Sequence, residues 1–220
     1  MIFEHMDRIV FAGDSVTDMG SRNPVGEWDG IGKGYVAVAE NLVTAVYPER
    51  SIRFTNSGIS GNTSRDLLAR FQRDVLELEP QWISICIGIN DVWRQFDAPA
   101  FTDQAGYPEE YEANLTAMIE KCKKKDTVKG IFILSPYYME PNKDDPMRRR
   151  MQEYVDICAR LAAEFGCIYV DFQAMYDRYF AYRHSTFIAW DRVHPSTIGA
   201  TLMARELLDK CGFDYNHIPE

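Results

Sequence analysis

Short apolar runs and longer amphipathic stretches follow one another along the chain. Five runs of four to six residues are rich in β-branched and aromatic types, which is the composition of buried strands. The run at residues 82–87 is the most apolar, so we expect that strand near the centre of a sheet. The predicted strands cover residues 9–12, 52–55, 82–87, 130–134 and 167–170.

Apolar residues at helical spacing fill most of the segments between these runs. In the first of them Val36, Ala39 and Val43 fall on one face, and Pro48 ends the pattern. The intervals 17–33 and 92–108 lack such a pattern and are predicted to be loops beside a site. Helices are predicted over residues 34–47, 65–78, 109–125, 147–165, 171–181 and 196–211.

The alternation of strands and helices predicts the fold class. It indicates an α/β fold, a three-layer α/β/α sandwich with a five-stranded parallel sheet and right-handed crossovers. A length of 220 residues, of which 46% are hydrophobic and 26% charged, suits one globular domain. We therefore expect residues 1–220 to form a single domain.

The charge of the chain limits its partners. A net charge of -9 repels nucleic acid and anionic membranes, so neither is expected as a partner. The first eight residues include acidic ones where a signal peptide has basic ones, and no long apolar core follows. The five cysteines are scattered and form no C-x-x-C pair, which is typical of reduced thiols. These features predict a cytoplasmic protein.

Candidate chemistry begins at Ser15, directly after the first strand. Open α/β sheets place their ligand crevices at this end of the strands, and a serine there can act as a nucleophile if a base activates it. In the second βα turn, Gly58 and Gly61 let the backbone approach a ligand and aim N–H groups at it. Asn90, after the central strand, can donate its side-chain amide to an oxyanion. Helix capping at Ser15 and ordinary turns at the other positions are the alternative interpretations.

A matching base lies near the other end of the chain. His194 follows Asp191 by three residues, a spacing that lets the carboxylate bond one imidazole nitrogen while the other faces the serine. The alternative is a surface histidine paired with a neighbouring acid. The remaining histidines, His5, His184 and His217, have no metal-ligand spacing, and no metal or other cofactor is predicted.

These pieces resemble the four sequence blocks of the SGNH hydrolase superfamily, the GDS-L-type esterases and lipases. Residues 13–15 (GDS), Gly61, Asn90 and residues 191–194 (DRVH) come in that family's order, with Val16 where leucine is usual. The resemblance implies a flavodoxin-like SGNH fold with Ser15 as nucleophile, His194 as base and Asp191 as its orienting carboxylate. It also implies an oxyanion hole formed by the N–H groups of Ser15 and Gly61 with the Asn90 amide.

Longer stretches look like the intracellular acetylxylan esterases of bacilli, notably residues 58–63, 87–96 and 189–195. This narrower resemblance implies an acetylated xylo-oligosaccharide or related sugar as substrate and a homo-oligomeric assembly. Aromatic and polar side chains in the surrounding loops suit sugar rings, although core packing or interface contacts would explain them equally. The predicted substrate-binding residues are Trp93, Arg94, Tyr137, Tyr138 and Trp190.

Two other functions stay open from the sequence. A lysophospholipase or acyl-thioesterase of the same superfamily would need a sizeable apolar groove for a long acyl chain. A carbohydrate-binding relative without activity would not need the serine, histidine and aspartate together.

Overall fold

A five-stranded, all-parallel sheet organises the structure, a computed structural model that describes residues 1–97 and 99–219. The strand order is β2-β1-β3-β4-β5, so the chain runs outward from β1 in both directions. The predicted fold class is therefore confirmed. The strands are β1 (Arg8–Gly13), β2 (Arg53–Gly58), β3 (Trp82–Cys86), β4 (Gly130–Leu134) and β5 (Ile168–Val170).

The first three strands end level with one another. Gly13, the last residue of β1, is in register with Gly58 on β2 and with Cys86 on β3. Because parallel strands place their carboxyl ends at one edge, the loops that follow β1, β2 and β3 start side by side. The first three sequence blocks, which contain Ser15, Gly61 and Asn90, therefore follow strands that end at this edge.

Helices cover both faces of the sheet. On one face α2 packs against α8, and α8 packs against α7. On the other face α3 packs against α5, and α6 contacts both α5 and α4. The α-helices are α1 (Ser15–Asp18), α2 (Tyr35–Val46), α3 (Ser64–Asp74), α4 (Ile89–Asp97), α5 (Pro108–Lys123), α6 (Pro146–Phe165), α7 (Phe172–Phe180) and α8 (Thr197–Lys210).

The sheet residues that face these helices form the core. β3 is buried along its whole length, and β1 is buried except at its first residue. Such strands have apolar side chains on both sides because both faces of the sheet are covered. In the described residues, no helix has the length and apolar character needed to cross a bilayer.

The prediction of a loop from residue 92 is wrong for its first part, since α4 extends from Ile89 to Asp97. Its apolar residues Ile89 and Val92 are buried, and Phe96 continues the same spacing. Asn90 and Asp91 resemble turn residues in sequence, but both side chains are buried and hydrogen-bonded, which permits a helix there.

Candidate active site

Ser15 lies at the start of a single helical turn that begins where β1 ends. The Asp14 carboxylate caps this turn by accepting a 2.9 Å hydrogen bond from the Val16 N–H. Only glycine fits at position 13, because a Cβ there would collide with Thr17 Oγ1 and with the Cys86 carbonyl. As the first residue of the turn, Ser15 has an N–H with no acceptor within the helix, which leaves that donor for a ligand.

The serine hydroxyl is hydrogen-bonded to the predicted base. Ser15 Oγ lies 2.7 Å from His194 Nε2, and His194 Nδ1 lies 2.5 Å from Asp191 Oδ2. The other Asp191 oxygen accepts the backbone N–H groups of Val193, at 3.0 Å, and of His194, at 2.8 Å. The three predicted catalytic side chains therefore form one continuous hydrogen-bonded chain.

The loop after β4 holds the aspartate–histidine loop in place. The Met139 N–H donates to the Arg192 carbonyl at 2.8 Å, and the Arg192 guanidinium pairs with Glu140 at 2.6 Å. The Tyr137 hydroxyl donates to the Val193 carbonyl at 3.2 Å. Arg192 itself has φ of +63°, in the left-handed region, so the loop needs these contacts to keep its turn.

The predicted oxyanion donors follow the two strands that pair with β1, with Gly61 in the loop after β2 and Asn90 at the start of α4 after β3. Gly61 has φ of +84°, and a Cβ built there would meet nothing within 4 Å, so its Cα borders open space. The Asn90 side-chain amide donates one N–H to the Asn62 carbonyl at 3.0 Å. An amide has two N–H groups, so the contact with Asn62 uses one of them and the other can serve a ligand.

Two carboxyl groups at the site have shifted pKa values in opposite directions. Burial raises the pKa of Asp14 to about 7, and the hydrogen bond from the Val16 N–H opposes that rise. Partial burial would also raise the pKa of Asp191, but hydrogen bonds from the His194 imidazole and from the His194 and Val193 N–H groups outweigh it. The pKa of Asp191 is therefore below its usual value. Asp191 stays ionised where a protonated imidazole beside it needs a negative charge.

Together these groups can perform acyl transfer. Acyl transfer from an ester needs a hydroxyl that is hydrogen-bonded to an imidazole and an imidazole that is hydrogen-bonded to a carboxylate. It also needs N–H donors near the hydroxyl to bind the oxyanion. A comparison with known proteins gives the same result, because the model of the GDSL-like lipase/acylhydrolase family matches residues 11–202.

The chain belongs to the GDSL-like lipase/acylhydrolase family. It is therefore a carboxylic ester hydrolase, and the predicted resemblance is confirmed. Among curated proteins, this acylhydrolase is 44% identical over 211 residues to an acetylxylan esterase of Geobacillus stearothermophilus, with 95% of each chain covered.

Solved structures show the same relationship. The structure of that esterase, Axe2, superposes on this acylhydrolase with a TM-score of 0.95, 44% identity and 98% of each chain covered. LAE5, an α/β hydrolase from the metagenome of Lake Arreo in Spain, gives a TM-score of 0.92 at 44% identity. The match covers 96% of this chain and 98% of LAE5. Three catalytic mutants of Axe2 carry S15A, D191A and H194A, and this acylhydrolase has the same residue types at those numbers.

Three of the predicted substrate-binding residues keep side-chain atoms exposed, although Trp93 is half-buried against the core. The Trp93 ring lies 6.1 Å from the His194 ring, measured between centroids, and is tilted by 53° to it. Arg94 follows on the same helix, where its guanidinium pairs with Asp97 at 2.5 Å and lies over the Trp93 ring. Trp190, directly before Asp191, is 87% exposed.

The two tyrosines differ in their surroundings. Tyr137 is 2% exposed, packs against Tyr176 and Phe172, and supports the catalytic loop from below. The prediction that Tyr137 stacks on a sugar is therefore wrong, because its ring has no face open to a ligand. Tyr138 is half-buried, and its N–H donates to Gln173 Oε1 at 2.8 Å.

Sequence reasoning missed the polar side chains that support the donor loops. Asp91 accepts the Ser64 N–H and hydroxyl at the start of α3, and Arg70 on that helix bonds Asn62 at 2.7 Å. A signal for Arg70 is present in the sequence, because it shares the apolar stripe of α3 with Leu67 and Phe71. Within the described residues, no group of three or more His, Cys, Asp and Glu side chains could hold a metal ion.

Proposed function

We propose that this acylhydrolase removes acetyl groups from acetylated xylo-oligosaccharides or related short sugars. The observation that carries the proposal is the hydrogen-bonded chain from Ser15 Oγ through His194 to Asp191. The substrate class rests on the 44% identity to an acetylxylan esterase. The preference for an acetyl group and the preference for a sugar can be tested separately.

The first half of the reaction forms an acetyl-enzyme. His194 Nε2 takes the proton of the Ser15 hydroxyl as Oγ bonds to the ester carbon, and Asp191 stabilises the imidazolium that results. The negative charge that develops on the carbonyl oxygen is bound by the N–H groups of Ser15 and Gly61 and by the Asn90 amide. The bond to the sugar oxygen then breaks, and His194 returns its proton to that oxygen.

The second half repeats the sequence with water. His194 takes a proton from a water molecule whose oxygen bonds to the acetyl carbon, and the same donors bind the second oxyanion. Collapse breaks the bond to Ser15 Oγ, which recovers its proton from His194, and acetate leaves. These steps use only groups of the chain itself, so no metal or organic cofactor takes part.

The surroundings of the serine suit a small acyl group and a sugar. Trp93 and Trp190 offer aromatic faces for the apolar side of a pyranose, and Arg94 can bond hydroxyl groups. Arg94 must partly exchange its contact with Asp97 to do so, which is feasible because that ion pair is half-exposed.

A long acyl chain has less support. A cavity of about 750 Å³ with apolar walls exists, but it is lined by Arg8 and Arg53, the first residues of β1 and β2. Ser15 follows the other end of β1, and a strand of this length separates the two ends by roughly 17 Å. The cavity therefore does not serve an acyl group on Ser15, and it gives no support to the lysophospholipase or thioesterase alternative.

We further infer that residues 1–220 act as one hydrolase domain in the cytoplasm, as a homo-oligomer. One sheet and a family match over residues 11–202 support the single domain. The five free cysteines, four of them buried, suit a reducing compartment. Exposed aromatic rings support self-association, with Trp28, Tyr182, Phe187 and Trp190 between 57% and 87% exposed.

The decisive experiment measures acetate released from acetylated xylobiose and xylotriose, beside p-nitrophenyl esters from acetate to octanoate. We expect release from both sugars, and acetate esters turned over faster than octanoate. Ser15→Ala should lower kcat by about 10⁴ or more in both assays. Ser51→Ala, an exposed serine at the opposite end of the sheet, is the matched control.

The outcomes separate the parts of the proposal. Faster turnover of octanoate, or no acetate from the sugars, would reject the acetyl-sugar substrate and leave the catalytic groups standing. Near-normal activity of Ser15→Ala would reject the nucleophile itself. Light scattering would test the assembly, and the mass of a single chain at micromolar concentration would reject the homo-oligomer.

A further inference from the structure

A buried guanidinium lies beneath the oxyanion donors. Arg70, on α3, is 9% exposed, although arginine is among the residue types that are most rarely buried. Burial of a charge is costly unless each polar atom finds a partner. The partners of Arg70 therefore indicate what its burial accomplishes.

All five N–H donors of Arg70 have partners. Nε donates to Asn62 Oδ1 at 2.7 Å, and Nη2 donates to the Gly13 carbonyl at 3.0 Å and to the Ser57 carbonyl at 2.8 Å. Nη1 donates to Ser57 Oγ at 2.9 Å and lies 3.5 Å from an Asp74 oxygen. Four of the five contacts go to loops and strand ends at the site, and one goes to the carboxylate that balances the charge.

These contacts join the pieces that hold the reacting groups. Gly13 ends β1 two residues before Ser15. Asn62 directly follows Gly61, and its carbonyl accepts the Asn90 amide at 3.0 Å. A displacement of Asn62 would therefore move both the Gly61 peptide and the acceptor that orients Asn90.

We propose that Arg70 is a positioning residue for the oxyanion hole, which it holds in shape by fixing the β1 end, the β2 end and Asn62 to one planar group. This inference rests on the proposed function, since it assumes that Gly61 and Asn90 bind the oxyanion. Arg70 does not touch the substrate. It acts through Asn62 and through the Gly13 carbonyl, two residues before the nucleophile.

Charge balance alone does not explain the arrangement. Asp74 already has a partner in Arg73, which donates to it at 2.5 Å and 3.0 Å and is largely exposed. A buried lysine would satisfy Asp74 as well, but its single ammonium cannot span Gly13, Ser57 and Asn62. The fork geometry of arginine matches the separation of these three acceptors.

Arg70→Lys tests the proposal, because it keeps the positive charge beside Asp74 and removes the fork. We expect kcat on p-nitrophenyl acetate to fall on the order of 10–100-fold, with KM changed by less than about twofold, because the donors act mainly on the transition state. The pH profile of kcat should keep its shape, since the Ser15–His194–Asp191 chain is untouched. Arg73→Ala is the matched control and should keep kcat within about twofold of wild type.

A double-mutant cycle tests the route through Asn62. Asn62→Ala should lower kcat in the wild type and have a smaller effect in the R70K background, because both substitutions remove the same hydrogen bond between Arg70 and Asn62. Asn62 is half-exposed, so Asn62→Ala should fold even if Arg70→Lys does not. In that case an unchanged kcat of Asn62→Ala overturns the proposal, and a lowered kcat at constant KM supports it.

Several results would overturn the proposal. These are a folded Arg70→Lys enzyme with wild-type kcat, a loss confined to KM, or additive effects in the cycle. Failure of the proposed function would look different, because Ser15→Ala would then keep full activity or the enzyme would release no acetate from the sugars. An inactive Ser15→Ala variant beside a fully active Arg70→Lys variant would reject only the role of Arg70.

Discussion

Asn90 shows how much of the site depends on single side chains. It is 3% exposed, and in the proposed mechanism its one amide meets both a protein acceptor and the oxyanion. The Asn62 carbonyl takes one N–H and thereby sets the direction of the other. Its residue type was predictable from the sequence, because an amide after a central strand suits an oxyanion. Its anchor was not predictable, because a backbone carbonyl leaves no trace in sequence.

We expect Asn90→Ala to lower kcat by roughly 10²–10³ with a small change in KM, because the lost donor acts mainly on the developing oxyanion. Initial rates on p-nitrophenyl acetate would measure both constants. Asn41→Ala, which alters an exposed residue of α2, is the control. A raised KM at constant kcat would show that Asn90 binds substrate only.

Asp14 is the second residue whose environment has a measurable consequence. It is fully buried behind the nucleophile, and burial raises its pKa to about 7 from an ordinary 3.8. Between about pH 4 and pH 7, the Asp14 carboxyl group is therefore protonated in the folded protein and ionised in the unfolded chain. Stability from this group is fully present below about pH 4, falls as pH rises, and levels off above about pH 7.

Asp14→Asn removes that dependence while its side-chain oxygen can still cap the Val16 N–H. We expect the free energy of unfolding of the variant, relative to wild type, to increase between pH 5 and pH 8. Urea denaturation at both pH values measures the difference. The free energy of unfolding of Asp14→Asn minus that of wild type should be larger at pH 8. A difference that is equal at the two pH values, or larger at pH 5, would contradict a raised pKa at Asp14.

At the scale of elements, the strands could be predicted closely and the donor segments less well. β2 continues through Asn56, Ser57 and Gly58, which resemble a turn in sequence. Asn56 is accommodated because its amide donates to the Thr17 and Ile31 carbonyls at 2.7 Å and 2.8 Å. Such long-range partners override local preference, which explains the shorter predicted strand.

The start of α3 fixes the segment that carries Gly61. Thr63 and Asp66 form a capping box in which the Thr63 N–H donates to the Asp66 carboxylate at 2.9 Å. We expect Thr63→Ala to lower the free energy of unfolding by about 1 kcal/mol. Chemical denaturation would measure the change, with Thr201→Ala on the exposed face of α8 as control. Equal effects of the two substitutions would count against a specific cap.

At the scale of the whole molecule, the sequence predicts the order of the blocks but not the packing between them. The four blocks come together because three follow level strand ends and the fourth is held by the loop after β4. Tyr137 was predicted to bind substrate and lies buried below that fourth block. Arg70 lies on the same face of α3 as the core residues Leu67 and Phe71, which the sequence pattern indicates. Its hydrogen-bond acceptors, however, come from segments that are distant in sequence. Which partner satisfies a buried polar group depends on tertiary structure, and one sequence does not contain that information directly.

The proposed mechanism predicts that ester hydrolysis does not depend on a metal ion, because every group that takes part in it belongs to the chain itself or to water. In the proposed mechanism Ser15, His194 and Asp191 supply nucleophile, base and charge stabilisation, and the amide donors stabilise the oxyanion. Dialysis against EDTA should therefore leave kcat unchanged within error. A loss of activity that a divalent cation restores would contradict this mechanism.

The hydrogen bond between Ser15 and His194 joins residues 179 positions apart. During synthesis, the nucleophile emerges from the ribosome long before its base, so a growing chain has no functional pair until His194 has been added and has emerged. Ester turnover therefore reports that two segments 179 positions apart have been assembled onto one sheet. In a refolding experiment, recovery of turnover should lag behind the recovery of helical circular dichroism, because local helices form without that closure.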